Sequence, residues 1–117
     1  MASRTAKFLA VPLALALILT CSSVTALRAQ EETFTLTIKD HRFSTARLEL
    51  PAGKKIKLVV KNLDPTPEEF ESVKLNREKV IPGGGEIVLI LGPLSPGTYD
   101  FFGEFHAETA KGEFVVK

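Results

Sequence analysis

Beyond Gln30 the chain alternates apolar and polar residues in short blocks. Phe34, Leu36 and Ile38 interleave with Thr33, Thr35, Thr37 and Lys39, the period-two pattern of a strand with one buried face. Leu48 and Leu50 run into the turn Pro51-Ala52-Gly53, and Ile56, Leu58 and Val60 then alternate with Lys55, Lys57 and Lys61. Asn62 to Pro67 carries two prolines, which deny donors to a ladder and predict a loop. Phe70 to Leu75 reads as extended, and Lys79-Val80-Ile81 precedes the turn Pro82-Gly83-Gly84-Gly85. Glu86 to Leu91 is a nearly continuous apolar run, which predicts a central strand. Gly97 to Gly103 and Glu113 to Val116 complete seven or eight strands, with no helical pattern among them. Short strands with turns every ten or so residues predict an all-β Greek-key β-sandwich. Within it, Leu94-Ser95-Pro96-Gly97-Thr98-Tyr99 predicts a tyrosine corner, the Tyr99 hydroxyl bonding back to nearby backbone.

The first 26 residues differ. Arg4 and Lys7 precede an apolar stretch from Phe8 to Thr20, and Val24-Thr25-Ala26 offers small residues for cleavage. This predicts a secretory signal peptide over 1–26, with cleavage as late as Ala29, followed by a folded domain over 30–117. The apolar stretch is shorter than the roughly 20 residues that span a bilayer, so no membrane insertion follows cleavage. Thr20 is bulky for the position before a lipidated cysteine, which argues against a lipoprotein anchor at Cys21. The expected location is the periplasm.

Export changes the composition. The chain has 15 Lys+Arg and 14 Asp+Glu; without Arg4 and Lys7, 13 basic residues face the 14 acidic ones. That balance excludes a general nucleic-acid binder, which needs a basic surface. Cys21 and Met1 are the only sulfur-bearing residues, so the mature domain has neither a disulfide framework nor a Cys-rich zinc site. No Ser–His–acid arrangement and no phosphate loop is present, and no catalytic residue is assigned.

The order of these features resembles the cupredoxins. Phe43, Leu48, Leu50, Gly53 and Ile56 to Asn62 are similar to the family's opening strands; Leu94-x-Pro96-Gly97-x-Tyr99-x-Phe101 leads into its ligand loop, and Gly112 to Val116 into its closing strand. The resemblance covers nearly all of 33–117 and implies a metal at the loop end. A blue copper centre needs a thiolate, two imidazoles and a weak axial ligand. By the resemblance, Gly103 stands at the cysteine position, Glu68 or Glu69 near the first histidine and Ala110 or Lys111 near the axial methionine, while His106 keeps the second imidazole. Type 1 blue copper is therefore excluded. Pro67 to Ser72, Glu78-Lys79-Val80 and Pro96 to Lys117 are similar to a narrower subfamily, the EfeO-type periplasmic cupredoxin-like domains of bacterial high-affinity iron uptake. That resemblance implies binding of Fe or Cu and an iron-binding partner or inner-membrane permease.

Five residues are candidate metal ligands: His106, Glu104, Glu69, Glu71 and His41. His106 follows an aromatic strand, and Glu104 two residues earlier would face the same way if the segment were extended. His41 lies in the first crossover, beside Asp40, which is read as a turn residue. Glu69 and Glu71 straddle Phe70 and so share a face. Imidazole with hard carboxylates suits Cu(II) or iron and disfavours Cu(I). Such a set stabilises an oxidised metal, so assistance of ferrous oxidation is chemically reasonable. Two alternatives stand beside this reading: a metal-free periplasmic interaction module, and a Cu(II) storage or delivery protein.

Overall fold

In the computed structural model the described residues are 31–117, besides Ser3 and Thr5; the expected signal peptide, its cleavage positions and Cys21 lie outside them. The described residues form nine strands and one short 3-10 turn. They are β1 (Glu32–Lys39), β2 (Arg42–Phe43), β3 (Arg47–Leu50), β4 (Ile56–Asn62), β5 (Glu68–Ser72), β6 (Arg77–Ile81), β7 (Glu86–Leu91), β8 (Gly97–Gly103) and β9 (Lys111–Val116). The turn, Glu104–His106, follows β8 directly. One sheet has the order β2-β1-β4-β7 and the other β3-β9-β8-β5-β6. Both are mixed, because β1 pairs parallel with β4 and β3 parallel with β9. The architecture is the expected all-β sandwich, and the ninth strand is the two-residue β2, too short to leave a periodic signature.

Between the sheets, Leu36, Ile38, Leu58, Val60, Phe70, Phe101 and Phe114 are all buried. Phe43, Phe70, Phe101 and Phe114 form one aromatic cluster, with Phe43 edge-on to Phe101 at 4.8 Å between centroids, a geometry the ring quadrupoles favour. The Tyr99 hydroxyl donates to the Ser95 carbonyl at 2.8 Å, which is the anticipated corner. One strand lies elsewhere than its pattern predicts. The apolar run 86–91 is an edge strand, not a central one. Ile87, Leu89 and Leu91 face the core while Val88 and Ile90 point outward, 42% and 40% exposed. Period-two burial explains both sets, and β-branched residues are at home on an outer strand face.

Two devices shape the loop end of the sandwich. The β1–β2 hairpin pairs Lys39 with Arg42, leaving Asp40 and His41 as a two-residue connection. Both have positive φ, 51° and 56°, as this tightest hairpin turn requires, and Asp and His tolerate that region better than most side chains. At the end of β4, the Asn62 side-chain amide donates to the Thr66 carbonyl at 2.8 Å, and its Oδ1 accepts from the Asp64 N–H at 3.1 Å. The proline-bearing loop is thereby folded over its own strand, and Asp64 is carried to the hairpin.

Candidate metal centre

Asp64 fixes the first histidine. Its two carboxylate oxygens accept the backbone N–H groups of Asp40 at 2.8 Å and His41 at 2.9 Å. From the other side the Thr109 hydroxyl donates to the His41 carbonyl at 2.7 Å. The His41 N–H is the main reason the Asp64 carboxyl is held below its ordinary value of 3.8; burial opposes it, and the Asp40 N–H and the nearby His41 and Lys39 charges assist. A depressed carboxyl contributes stability that is complete above its unfolded pKa and lost as pH falls through the folded one. Asp64→Asn should therefore fall behind the parent protein above about pH 4, by a margin that shrinks as pH falls through the depressed folded pKa. Acid unfolding followed by circular dichroism checks this; superimposable acid limbs would remove Asp64 from the account.

The second histidine is fixed by a buried glutamate. Glu68, the first residue of β5, is 1% exposed. Its Oε1 accepts the N–H of Glu69 at 3.0 Å and of Phe105 at 2.9 Å, and its Oε2 lies 2.5 Å from His106 Nδ1. The His41 and His106 rings stack with centroids 3.5 Å apart and planes 16° from parallel. His41 Nδ1 is also 3.6 Å from Asp64 Oδ2. Glu68 thus backs the His106 ring at Nδ1, the contact that holds a metal-binding histidine in one tautomer and orientation, while His41 Nδ1 faces Asp64 beyond hydrogen-bond distance. One donor atom from each of His41, Glu68 and His106 lies within 4.8 Å of the others.

The five sequence candidates divide between two places. His41 and His106 come together as anticipated, but with Glu68 as their carboxylate. Glu69, Glu71 and Glu104 gather instead with Glu78 in a separate acidic group. The reason for the division at 104–106 is local. The segment is a 3-10 turn, not extended, and at three residues per turn side chains two apart point away from each other. Glu68 carries a signal that sequence reasoning missed: it lies two residues before Phe70 on a strand, so it shares the inward face of that buried ring.

Gly103 ends β8 next to this site. A Cβ built there would lie 2.6 Å from Glu68 Cδ and 2.8 Å from both Glu68 Oε1 and Ala110 Cβ. The space that a side chain at 103 would need is filled by the Glu68 carboxylate. Residues 31–117 contain neither Cys nor Met, so the donors at this end are nitrogen and oxygen. Of the three aromatic residues around the loop, Phe101 is core, Phe102 is half-buried and Phe105 is 48% exposed beside the histidines.

A β-sandwich with paired histidines at one loop end defines the class of protein, and sequence comparison agrees. The chain belongs to the Cupredoxin-like domain family, whose model matches residues 11–116. It is 48% identical over 81 residues to an uncharacterised protein of Rickettsia prowazekii, a match covering 69% of this chain and 65% of that protein's length. Solved structures of similar fold include auracyanin A, a "blue" copper protein of Chloroflexus aurantiacus, with TM-score 0.65 and 13% identity over 75% of this chain and all of the other (100%). The metal-binding domain of the Streptococcus pneumoniae Cu(I)-exporting P-type ATPase CopA, with Cu(I), matches at TM-score 0.65 and 14% identity, covering 77% of this chain and 98% of that one. Amicyanin from Paracoccus versutus follows at TM-score 0.57 and 17% identity, over 73% and 81% of the two chains.

Proposed function

We propose that this cupredoxin-like protein binds Cu(II) or iron through His41 and His106, backed by Asp64 and Glu68, and serves periplasmic high-affinity iron uptake alongside an inner-membrane permease. The observation that carries the metal reading is the stacked imidazole pair with a buried carboxylate behind each ring. Solved structures of similar fold include a "blue" copper protein and a metal-binding domain with Cu(I), which supports a metal rather than a bare imidazole pair. A blue copper centre needs a thiolate, and residues 31–117 hold no cysteine; by the cupredoxin resemblance the thiolate would stand at Gly103, which abuts the Glu68 carboxylate. Cu(I) is disfavoured by the same lack of sulfur, whereas borderline Cu(II) and iron suit imidazole with carboxylate. Bound there, either metal would supply redox chemistry; the protein's own part is to hold both rings and to keep His106 Nδ1 committed to Glu68. The role in iron uptake and the permease rest on the EfeO-type resemblance over 67–72, 78–80 and 96–117, and export rests on the signal-peptide pattern over 1–26.

The test is calorimetric titration with Cu(II) and, anaerobically, Fe(II). One equivalent should bind, and His41→Ala and His106→Ala should each weaken it by at least about tenfold. If neither metal binds, or both variants bind as the parent does, the metal reading is wrong. Silence from both metals would favour an interaction module instead, for which the exposed Phe105 beside the histidines is the specific support.

A further inference from the structure

We propose that the outer face of the β2-β1-β4-β7 sheet docks on a bilayer rich in anionic phospholipid, held through Lys39, Arg42, Lys57 and Lys61. The strand registers bring these four together. Thr37 stands across from Lys61 in the parallel β1–β4 ladder, and Lys39 lies two residues further along the same face. Arg42 stands directly across the hairpin from Lys39. Lys57 shares the outward side of β4 with Lys61, while Ile56, Leu58 and Val60 turn into the core. Lys39, Arg42 and Lys61 are exposed, and Lys57 is half-buried.

Lysines on a sheet commonly guard an edge against pairing with other chains. That role does not fit here, because β4 is an interior strand and Lys57 and Lys61 guard no edge. Like charges directly opposite on neighbouring strands destabilise the pair, yet Lys39 and Arg42 face each other in this way. None of the four takes part in a salt bridge among the described residues, whereas Lys54 and Lys55, at the far end of the sheet, are paired with Glu32 and Glu31. Within the strands, the only acid turned to this face is Glu86, across from Lys61 on the edge strand β7. The sheet therefore keeps a set of cations together at some cost and leaves them without partners of its own.

The spacing of the charges selects the partner. By strand geometry Lys57 and Lys61 are about 13 Å apart along β4, and Arg42 lies two strand spacings, about 10 Å, to the side. Cations spread this widely on one sheet face do not converge on a single small anion, but they match an array of phosphate headgroups. The hydroxyls of Thr33, Thr35 and Thr37 on the same face of β1 add donors for those phosphates. A protein partner would be anchored by aromatic side chains near the centre of the contact, and the strands of this face turn no aromatic ring outward. Lys39 and Arg42 flank the hairpin turn that carries His41, so docking holds the histidine end of the sandwich near the bilayer. None of this depends on the histidines holding a metal.

The test mixes the full chain with vesicles of phosphatidylglycerol and phosphatidylcholine in equal parts, or of phosphatidylcholine alone. The apolar stretch from Phe8 to Thr20 has affinity for either vesicle, so the readout is local: the rate at which an amine-reactive reagent labels each lysine, resolved by mass spectrometry. Labelling of Lys39, Lys57 and Lys61 should slow by at least about fivefold on the anionic vesicles only, while Lys79 and Lys111 of the other sheet react alike on both. In about 1 M NaCl, which screens charges beyond about 3 Å, the protection should vanish. Lys57→Gln/Lys61→Gln should raise the lipid concentration needed to protect Lys39 by at least about tenfold. Lys79→Gln/Lys111→Gln changes the net charge equally and should leave it unchanged; circular dichroism confirms that both variants fold. No protection, equal protection on neutral vesicles or on both sheets, or no effect of Lys57→Gln/Lys61→Gln overturns the proposal. So does inorganic phosphate protecting the same lysines at matched ionic strength, which would assign the face to a soluble anion. Protection by polyglutamate and not by anionic vesicles would overturn it in favour of an acidic protein.

Discussion

Glu68→Ala should lower the stability of the protein by about 3–5 kcal/mol, the usual consequence of removing one partner from a buried charged network. Three bonds end on this carboxylate: the N–H of Glu69, the N–H of Phe105 and His106 Nδ1. Truncation leaves the buried Glu69 N–H and the part-buried Phe105 N–H unpaired, which is costly, and removes the side chain that fills the space against Gly103. Urea unfolding should show a lower midpoint at unchanged m-value. Glu68→Gln separates packing from charge. Its carbonyl can still accept the two backbone N–H groups, so most of the stability should return. Its amide, however, faces His106 Nδ1 with a donor and forces the imidazole to carry its proton on Nε2. Metal affinity should then fall while the fold survives. A cost below about 1 kcal/mol for Glu68→Ala would mean that water replaces the carboxylate freely.

Gly103→Cys should also destabilise, and the size of the effect should depend on Glu68. The new Cβ would sit 2.6 Å from Glu68 Cδ, far inside contact distance, against a side chain that three hydrogen bonds hold in place. Overpacking of this kind costs about 1–3 kcal/mol. In Glu68→Ala/Gly103→Cys the carboxylate is gone and the thiol can occupy its space. The double variant should therefore lose less stability than the sum of the two single ones, by about 1 kcal/mol or more in a double-mutant cycle. The close approach to Ala110 Cβ remains, so recovery should be partial. With Cu(II), the double variant alone assembles two imidazoles and a thiolate, and it should develop the intense colour of thiolate-to-copper charge transfer. Additive energies and a colourless product would show that Glu68 does not stand in the thiolate's place.

Much of this organisation is legible in the sequence, and what is missed has local causes. Strands β1, β4 and β8 follow from alternation and turn residues, because one face of each packs into the core and the period survives in the letters. The tyrosine corner is legible because its partner is only four residues away. The edge position of β7 is not, since an apolar run does not say whether its outward residues meet another layer or solvent. His41 and His106 could be named as candidates, but their stacking depends on a hairpin turn and a loop 65 residues apart in sequence. An extended segment at 104–106 would put Glu104 and His106 on one side, and one short helical turn is enough to send them to different sites. Glu78 belongs to the acidic group through the β5–β6 register. That register becomes readable only once the reversal at Val73–Asn76 is located.

The alternation along β5 has an evolutionary consequence. Neighbouring residues 68 and 69 serve different clusters because consecutive side chains of a strand face opposite ways. Single substitutions can therefore tune or erase either cluster without disturbing the other, and lineages could specialise one while discarding its neighbour. A one-residue insertion between Glu69 and Phe70 would have no such freedom. It would exchange the inward and outward carboxylates together, placing Glu69 chemistry against the histidines and sending Glu68 to the acidic group. Divergence in this family should accordingly proceed by replacement at these positions, with the length of the segment held constant.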